Sequence, residues 1–121
     1  MIEENSFTFS FEQEENIDGL FYYTLKNVSS NNKPIELVFS SSQEIDYVIS
    51  DLDENELYQY SKENFFTQAM MYKTIGPNEE YIVNVDFRDV FSSLEDEEFD
   101  IEIWTVAKGL NARAKIRVIL N

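Results

Sequence analysis

Strict two-residue alternation recurs along this chain in short runs, and it dictates strands. Ser6-Phe7-Thr8-Phe9-Ser10-Phe11 alternates polar and apolar without a break. Ile35, Leu37 and Phe39 repeat the pattern, as do Tyr81, Val83 and Val85, then Phe99, Ile101, Ile103 and Thr105, then Ala114, Ile116, Val118 and Leu120. A period of two puts alternate side chains on one face of a pleated strand. Leu20 to Asn27, Ile45 to Ser50, Glu56 to Tyr60 and Met70 to Thr74 read as further strands. Helical spacing occurs at Phe87, Val90, Phe91 and Leu94, where a short helix or an irregular crossover both fit. Ser61 is placed to cap a short helical turn over Lys62-Glu63-Asn64.

Turn chemistry separates these runs at Asp18-Gly19, Ser29–Pro34, Asp51–Asn55, Gly76-Pro77-Asn78-Glu79 and Lys108-Gly109-Leu110-Asn111. About eight short strands at roughly 10-residue spacing predict an all-β protein, an immunoglobulin-like antiparallel β-sandwich. Residues 1–121 are expected to form one domain. With 3 glycines in the chain, Asn and Asp are expected to supply several turns.

Composition removes whole classes of function. The chain has 24 acidic and 9 basic residues, a net charge of −15, so phosphate backbones and anionic membrane surfaces would repel it. A basic protein partner would instead be steered toward it. Cysteine and histidine are both absent. That excludes disulfides, thiolate nucleophiles, a Ser-His-Asp triad and the commonest zinc ligands. No apolar run approaches the roughly 20 residues that span a bilayer. The acidic start lacks the features of a signal peptide, so a cytoplasmic location is expected. No cofactor or metal is expected, and the chain is not expected to be an enzyme.

Three short motifs fall to bland readings. Asp51-x-Asp53-x-Asn55 begins like a calcium loop, but Glu56 and Lys62 stand where that loop needs Gly and Glu, so an acidic hairpin turn is expected. Ser30-x-x-Lys33 matches the serine-lysine pattern of penicillin-binding enzymes, yet it lies in a loop before Pro34 with no companion motif. Asn27-Val28-Ser29 is a glycosylation sequon only in a secreted protein.

The stretch Ile35–Ala69 carries the polar oddities. Gln43 and Asp46 sit on or beside a strand that is otherwise apolar, and Gln68 lies beyond its partner strand. A carboxylate among amides and hydroxyls can accept several hydrogen bonds and fix an irregular segment. Gln43, Asp46, Tyr60, Ser61, Phe66, Thr67 and Gln68 are therefore the candidate site. They either pin Ser61–Ala69 against the sheet or present Phe65, Phe66 and their neighbours to a partner.

The same stretch resembles a known family. Leu25-Lys26-Asn27, Ile35-Glu36-Leu37-Val38-Phe39-Ser40-Ser41-Ser42-Gln43, Asp46, Val48 and Asp51 are similar to the intracellular proteinase inhibitors of BsuPI type. The likeness continues through Tyr58-Gln59-Tyr60-Ser61-Lys62, Phe66-Thr67-Gln68-Ala69 and Gly76-Pro77-Asn78-Glu79. It departs at Tyr60, where Trp is common, and at Asn55 and Asn78, where Gly is common. The resemblance implies an immunoglobulin-like fold and inhibition of a subtilisin-like serine protease in the cytoplasm, with that protease as protein partner. It does not identify the contact loop. Ser29–Pro34, Asp51–Asn55, Gly76–Glu80 and Lys108–Ala112 are the candidates.

Overall fold

A computed structural model describes residues 2–120. Nine strands form in chain order: β1 (Phe7–Gln13), β2 (Leu20–Asn27), β3 (Ile35–Phe39), β4 (Ile45–Ser50), β5 (Glu56–Gln59), β6 (Met71–Ile75), β7 (Glu80–Asp86), β8 (Glu98–Thr105) and β9 (Arg113–Ile119). Two short helices interrupt them, α1 (Tyr60–Glu63) after β5 and α2 (Arg88–Ser93) after β7. The all-β expectation holds, with 48% of the described residues in strands. Every strand pair is antiparallel. The sheets run β1-β2-β7, β3-β6 and β5-β4-β8-β9.

The alternation seen in the sequence becomes burial. In β2 and β8 every second residue is buried, with Phe21, Tyr23 and Leu25 on one and Phe99, Ile101 and Ile103 on the other. Ile45, Tyr47 and Ile49 of β4 join the same core. The helical spacing near residue 90 resolves as α2, a true short helix rather than an irregular crossover, with Phe87 as its N-cap residue. Phe87 has no exposed surface, and its ring lies 5.3 Å from Phe21 of β2, 4.8 Å from Tyr47 of β4 and 5.2 Å from Phe91 of α2. Rings from two sheets thus close on one phenylalanine, a sandwich-like packing. Each such pair adds about 0.5–1.5 kcal/mol beyond area burial.

Asn27 is the polar counterpart of that packing. Its side chain is fully buried at the end of β2, on the same face as Phe21, Tyr23 and Leu25. Its Nδ2 donates to the carbonyls of Lys33 and Ile75, both at 2.8 Å, and its Oδ1 accepts the Ser29 N–H at 3.0 Å. One side chain therefore ties the Ser29–Pro34 loop to the end of β6. The Asn27 carbonyl also accepts the N–H of Asn78, which draws the Gly76–Glu79 turn to the same end. A buried amide with both of its hydrogens engaged is no acceptor for a glycan, which closes the sequon reading.

The turns follow the expected chemistry with one exchange. Glu79 N–H donates to the Gly76 carbonyl at 3.0 Å, and Asn78 has φ 64°. Proline followed by a left-handed residue is the type II pattern. Asn16 and Asn32 also adopt positive φ, so asparagine does stand in for glycine; no described Asp does. In the Asp51–Asn55 turn the left-handed residue is Glu54 (φ 67°), not Asn55.

Two stability measurements check this account. Asn27→Asp keeps the shape but replaces both donated hydrogen bonds with repulsion between acceptors. It should cost about 3 kcal/mol or more, seen as a lower thermal midpoint by circular dichroism. Glu54→Gly should raise stability by about 0.5–1 kcal/mol, because the left-handed penalty on Glu exceeds the extra unfolded-state entropy of Gly.

Candidate functional site

The site is built around β4. Strand alternation turns Ile45, Tyr47 and Ile49 toward the core and leaves Asp46 on the opposite face. Asp46 is nevertheless only 7% exposed. Its Oδ1 accepts the backbone N–H groups of Tyr47 at 2.9 Å and Ser61 at 3.0 Å. Its Oδ2 accepts Nε2 of Gln59 at 3.0 Å. Three charge-assisted hydrogen bonds, two of them from the main chain, hold this carboxylate without a cation.

These contacts correct the sequence reading of the cap. Ser61 does not cap the helical turn. The helix starts one residue earlier, at Tyr60, follows Gln59, and receives no side-chain cap from its own N-cap residue. Asp46, 15 residues upstream, takes up the Ser61 N–H that the first turn leaves free. Ordinary capping acts within one segment of chain. Here it spans two elements, so it fixes where α1 sits on the sheet.

The polar network is also smaller than its residue types suggest. Gln43 does not reach Asp46; its Nε2 donates to the Ile45 carbonyl at 3.0 Å, and its N–H donates to Ser41 Oγ. Gln68 bends back on its own segment, with Nε2 3.4 Å from the Phe66 carbonyl. The amide that serves Asp46 is Gln59, which the sequence reading overlooked. A signal was present, since Gln59 ends the strand that pairs with β4 and lies opposite Val48.

Thr67 and Ser42 form a second clasp. The Ser42 N–H donates to the Thr67 carbonyl at 2.9 Å, and the Thr67 N–H donates to Ser42 Oγ at 2.8 Å. Ser42 was readable only as part of a serine-rich corner. It holds the stretch that follows α1 against the end of β3. Phe66 packs its ring 5.6 Å from Tyr60, which stacks 5.1 Å from Tyr47. At the other end of the stretch, Asn64 Nδ2 donates to the Tyr60 carbonyl at 2.8 Å. Of the seven predicted residues, Asp46, Tyr60, Ser61, Phe66 and Thr67 gather here, while Gln43 and Gln68 flank them with local bonds.

Between the two clasps stands Phe65. Its relative exposure is 103%, that of an unpacked side chain in an extended peptide. Met70 (49%) and Tyr72 (67%) are also exposed. The clasps hold the backbone on either side of an apolar side chain that touches nothing.

Burial and the neighbouring Tyr58 hold the Tyr47 phenol far above its ordinary range, and burial raises Tyr60 as well, so both stay neutral. The ion pairs formed by described residues are exposed or partly exposed: Lys62–Glu56, Lys73–Glu44, Arg88–Asp86, Arg113–Glu102 and Arg117–Asp100. Asp51 is engaged by its own turn, accepting the N–H groups of Asp53 and Asn55 and the Asn55 amide. Those bonds hold its carboxyl below the usual range. That is the expected hairpin turn. Among the described residues, no group of three or more Asp or Glu could hold a metal ion.

Three of the four candidate contact loops gather at one end of the molecule. Ser29–Pro34 and Gly76–Glu80 meet at Asn27, beside the Ile35–Ile75 end of the β3–β6 pair. Lys108 joins Ser29–Pro34 around a groove of about 760 Å³. The clasped segment lies at the other end, where Phe39 pairs with Met71.

Residues 6–110 match the family described as intracellular proteinase inhibitor, BsuPI. The match covers most of the chain, and the chain belongs to that family. Its members are described as proteinase inhibitors rather than as enzymes. No curated protein matches the chain.

Asp46 is the residue to test. Asp46→Ala removes the acceptor of the Tyr47 and Ser61 N–H groups and of the Gln59 amide and should cost about 2–3 kcal/mol. That is a fall of roughly 10 °C in Tm for a domain of this size. Asp46→Asn keeps an oxygen for both main-chain donors, and Gln59 can rotate its amide to match. It should cost about 1 kcal/mol or less. Calorimetry on both variants separates the geometry of the oxygen from its charge.

Proposed function

We propose that the chain inhibits a subtilisin-like serine protease in the cytoplasm by non-covalent occlusion of the protease active site. The observation that carries this reading is the family match over residues 6–110. The chain's own chemistry is compatible with it. It has neither cysteine nor histidine, so the inhibitor supplies no thiol nucleophile and no imidazole base. What it supplies is surface.

A small β-domain can block a cleft by inserting a rigid segment or by covering the entrance. Both need about 1,600 Å² of total buried area, which a chain of 121 residues can provide. Rigidity counts because a segment already ordered before binding loses little further entropy. Disulfides are absent here, so stiffness has to come from hydrogen bonds and packing. The Asp46 bonds and the Ser42–Thr67 pair are of that kind.

The test is direct titration of purified intracellular subtilisin-like proteases with the protein. Activity on a small chromogenic peptide should fall to near zero at about stoichiometric inhibitor, and the inhibitor should be recovered uncleaved. Full activity at micromolar excess, across several such enzymes, overturns the reading and leaves a non-inhibitory β-domain that binds another protein.

A further inference from the structure

We propose that Asn64–Tyr72 is the docking element, and that Phe65 inserts into an apolar side-chain pocket in the substrate cleft of the protease. This rests on the inhibitor reading above and adds the contact surface. Three independent features of the segment converge on it.

The first is charge. Asn64-Phe65-Phe66-Thr67-Gln68-Ala69-Met70-Met71-Tyr72 is nine residues long without one charged side chain. No other stretch of that length is uncharged in this chain, where 27% of residues are charged. The shorter uncharged run Gly19–Leu25 has its alternate residues buried in the core. This one is mostly exposed: Asn64, Phe65, Thr67, Gln68, Ala69, Met70 and Tyr72 all face solvent. Interface centres are depleted of charge and enriched in aromatic residues and Met. In a protein of net charge −15, such a window lets a partner seat without desolvating carboxylates.

The second is shape. Phe65 projects as an unpacked side chain, so its partner surface must be concave. Among apolar side chains exposed at the surface, Phe65 exceeds Leu52 (48%) and Ile119 (64%) by a wide margin. A fully exposed ring gains free energy by entering an apolar pocket, and the hydrophobic specificity slot of some serine proteases is of that form. A second copy of this chain is a poorer occupant, since its own surface adds another 15 units of like charge.

The third is preorganisation. Asn64 is tied to the Tyr60 carbonyl and Thr67 to Ser42, so the backbone is fixed one residue before Phe65 and two after it. Phe66 packs against Tyr60 between those ties. Docking then leaves little backbone around Phe65 to be ordered.

The experiment measures inhibition constants against one protease for the wild type, Phe65→Ala and Leu52→Ala. Leu52 is the exposed apolar control in the Asp51–Asn55 turn. Phe65→Ala should weaken inhibition by about 30-fold or more, as removal of an anchor residue does. Its Tm should be unchanged, because the ring packs against nothing, and Leu52→Ala should inhibit like the wild type. If the wild type inhibits and Phe65→Ala inhibits equally well, the docking assignment is wrong while the inhibitor reading stands. A loss shared by Leu52→Ala also overturns it. If the wild type inhibits no protease, both readings fall together. Sedimentation of the free protein covers the other occupant: a dimer that Phe65→Ala dissolves would assign the tip to self-association and overturn the proposal.

Discussion

A line of aromatic rings runs from the centre of the core to the surface, and the arrangement of the molecule hangs on it. Phe87 lies at the inner end, against Phe21, Phe91 and Tyr47. Tyr47 stacks on Tyr60, and Tyr60 meets Phe66 edge-on. Each contact is worth about 0.5–1.5 kcal/mol beyond area burial. Their value lies in continuity. The ring that joins the sheets and the ring that holds the exposed segment belong to one packed series, so displacing the segment disturbs the core.

Ring packing alone does not fix position along the sheet, because apolar contact is weakly directional. Asp46 supplies direction. A buried carboxylate without a cation is tolerable only where donors already point at it. Two of its three donors are main-chain N–H groups, whose positions follow from the backbone path. The Ser61 N–H is therefore both the stabiliser of Asp46 and the register mark that sets α1 on β4. An apolar residue at 46 would offer the Ser61 N–H no acceptor and would lose that mark.

Period two was enough to find the strands, since alternation is a local property and local sequence carries it. All nine runs picked out in the sequence form strands, and the helix at Arg88–Ser93 leaves the class unchanged. Hydrogen-bond partners are another matter. Gln68 and Gln59 are equally polar in sequence, and only the pairing of β5 with β4 puts Gln59 within reach of Asp46. Glu54 was hidden for a different reason: intrinsic preference points to Asn55 for a left-handed position, and the Asp51 turn overrides it. Asn27 was legible and passed over. It continues the parity of Phe21, Tyr23 and Leu25, so a polar residue stood on a core-facing position and required partners.

The brace and the exposed tip divide the stretch that carries the family likeness. Tyr60, Ser61, Phe66 and Thr67 are all engaged in holding the segment. Their side chains or backbone groups are committed before any partner arrives. Residues in that position constrain a surface without composing it, and substituting them should act through the geometry of the segment. Phe65 is the reverse case: it contributes no packing to the folded chain and is positioned by all of it. A motif read from sequence marks the residues that do the holding. The residue being held sits inside the motif and is distinguished from its neighbour Phe66 by exposure alone, 103% against a half-buried ring. Two adjacent phenylalanines thus take opposite roles, because the clasp at Thr67 and the ring of Tyr60 turn one inward and leave the other to solvent.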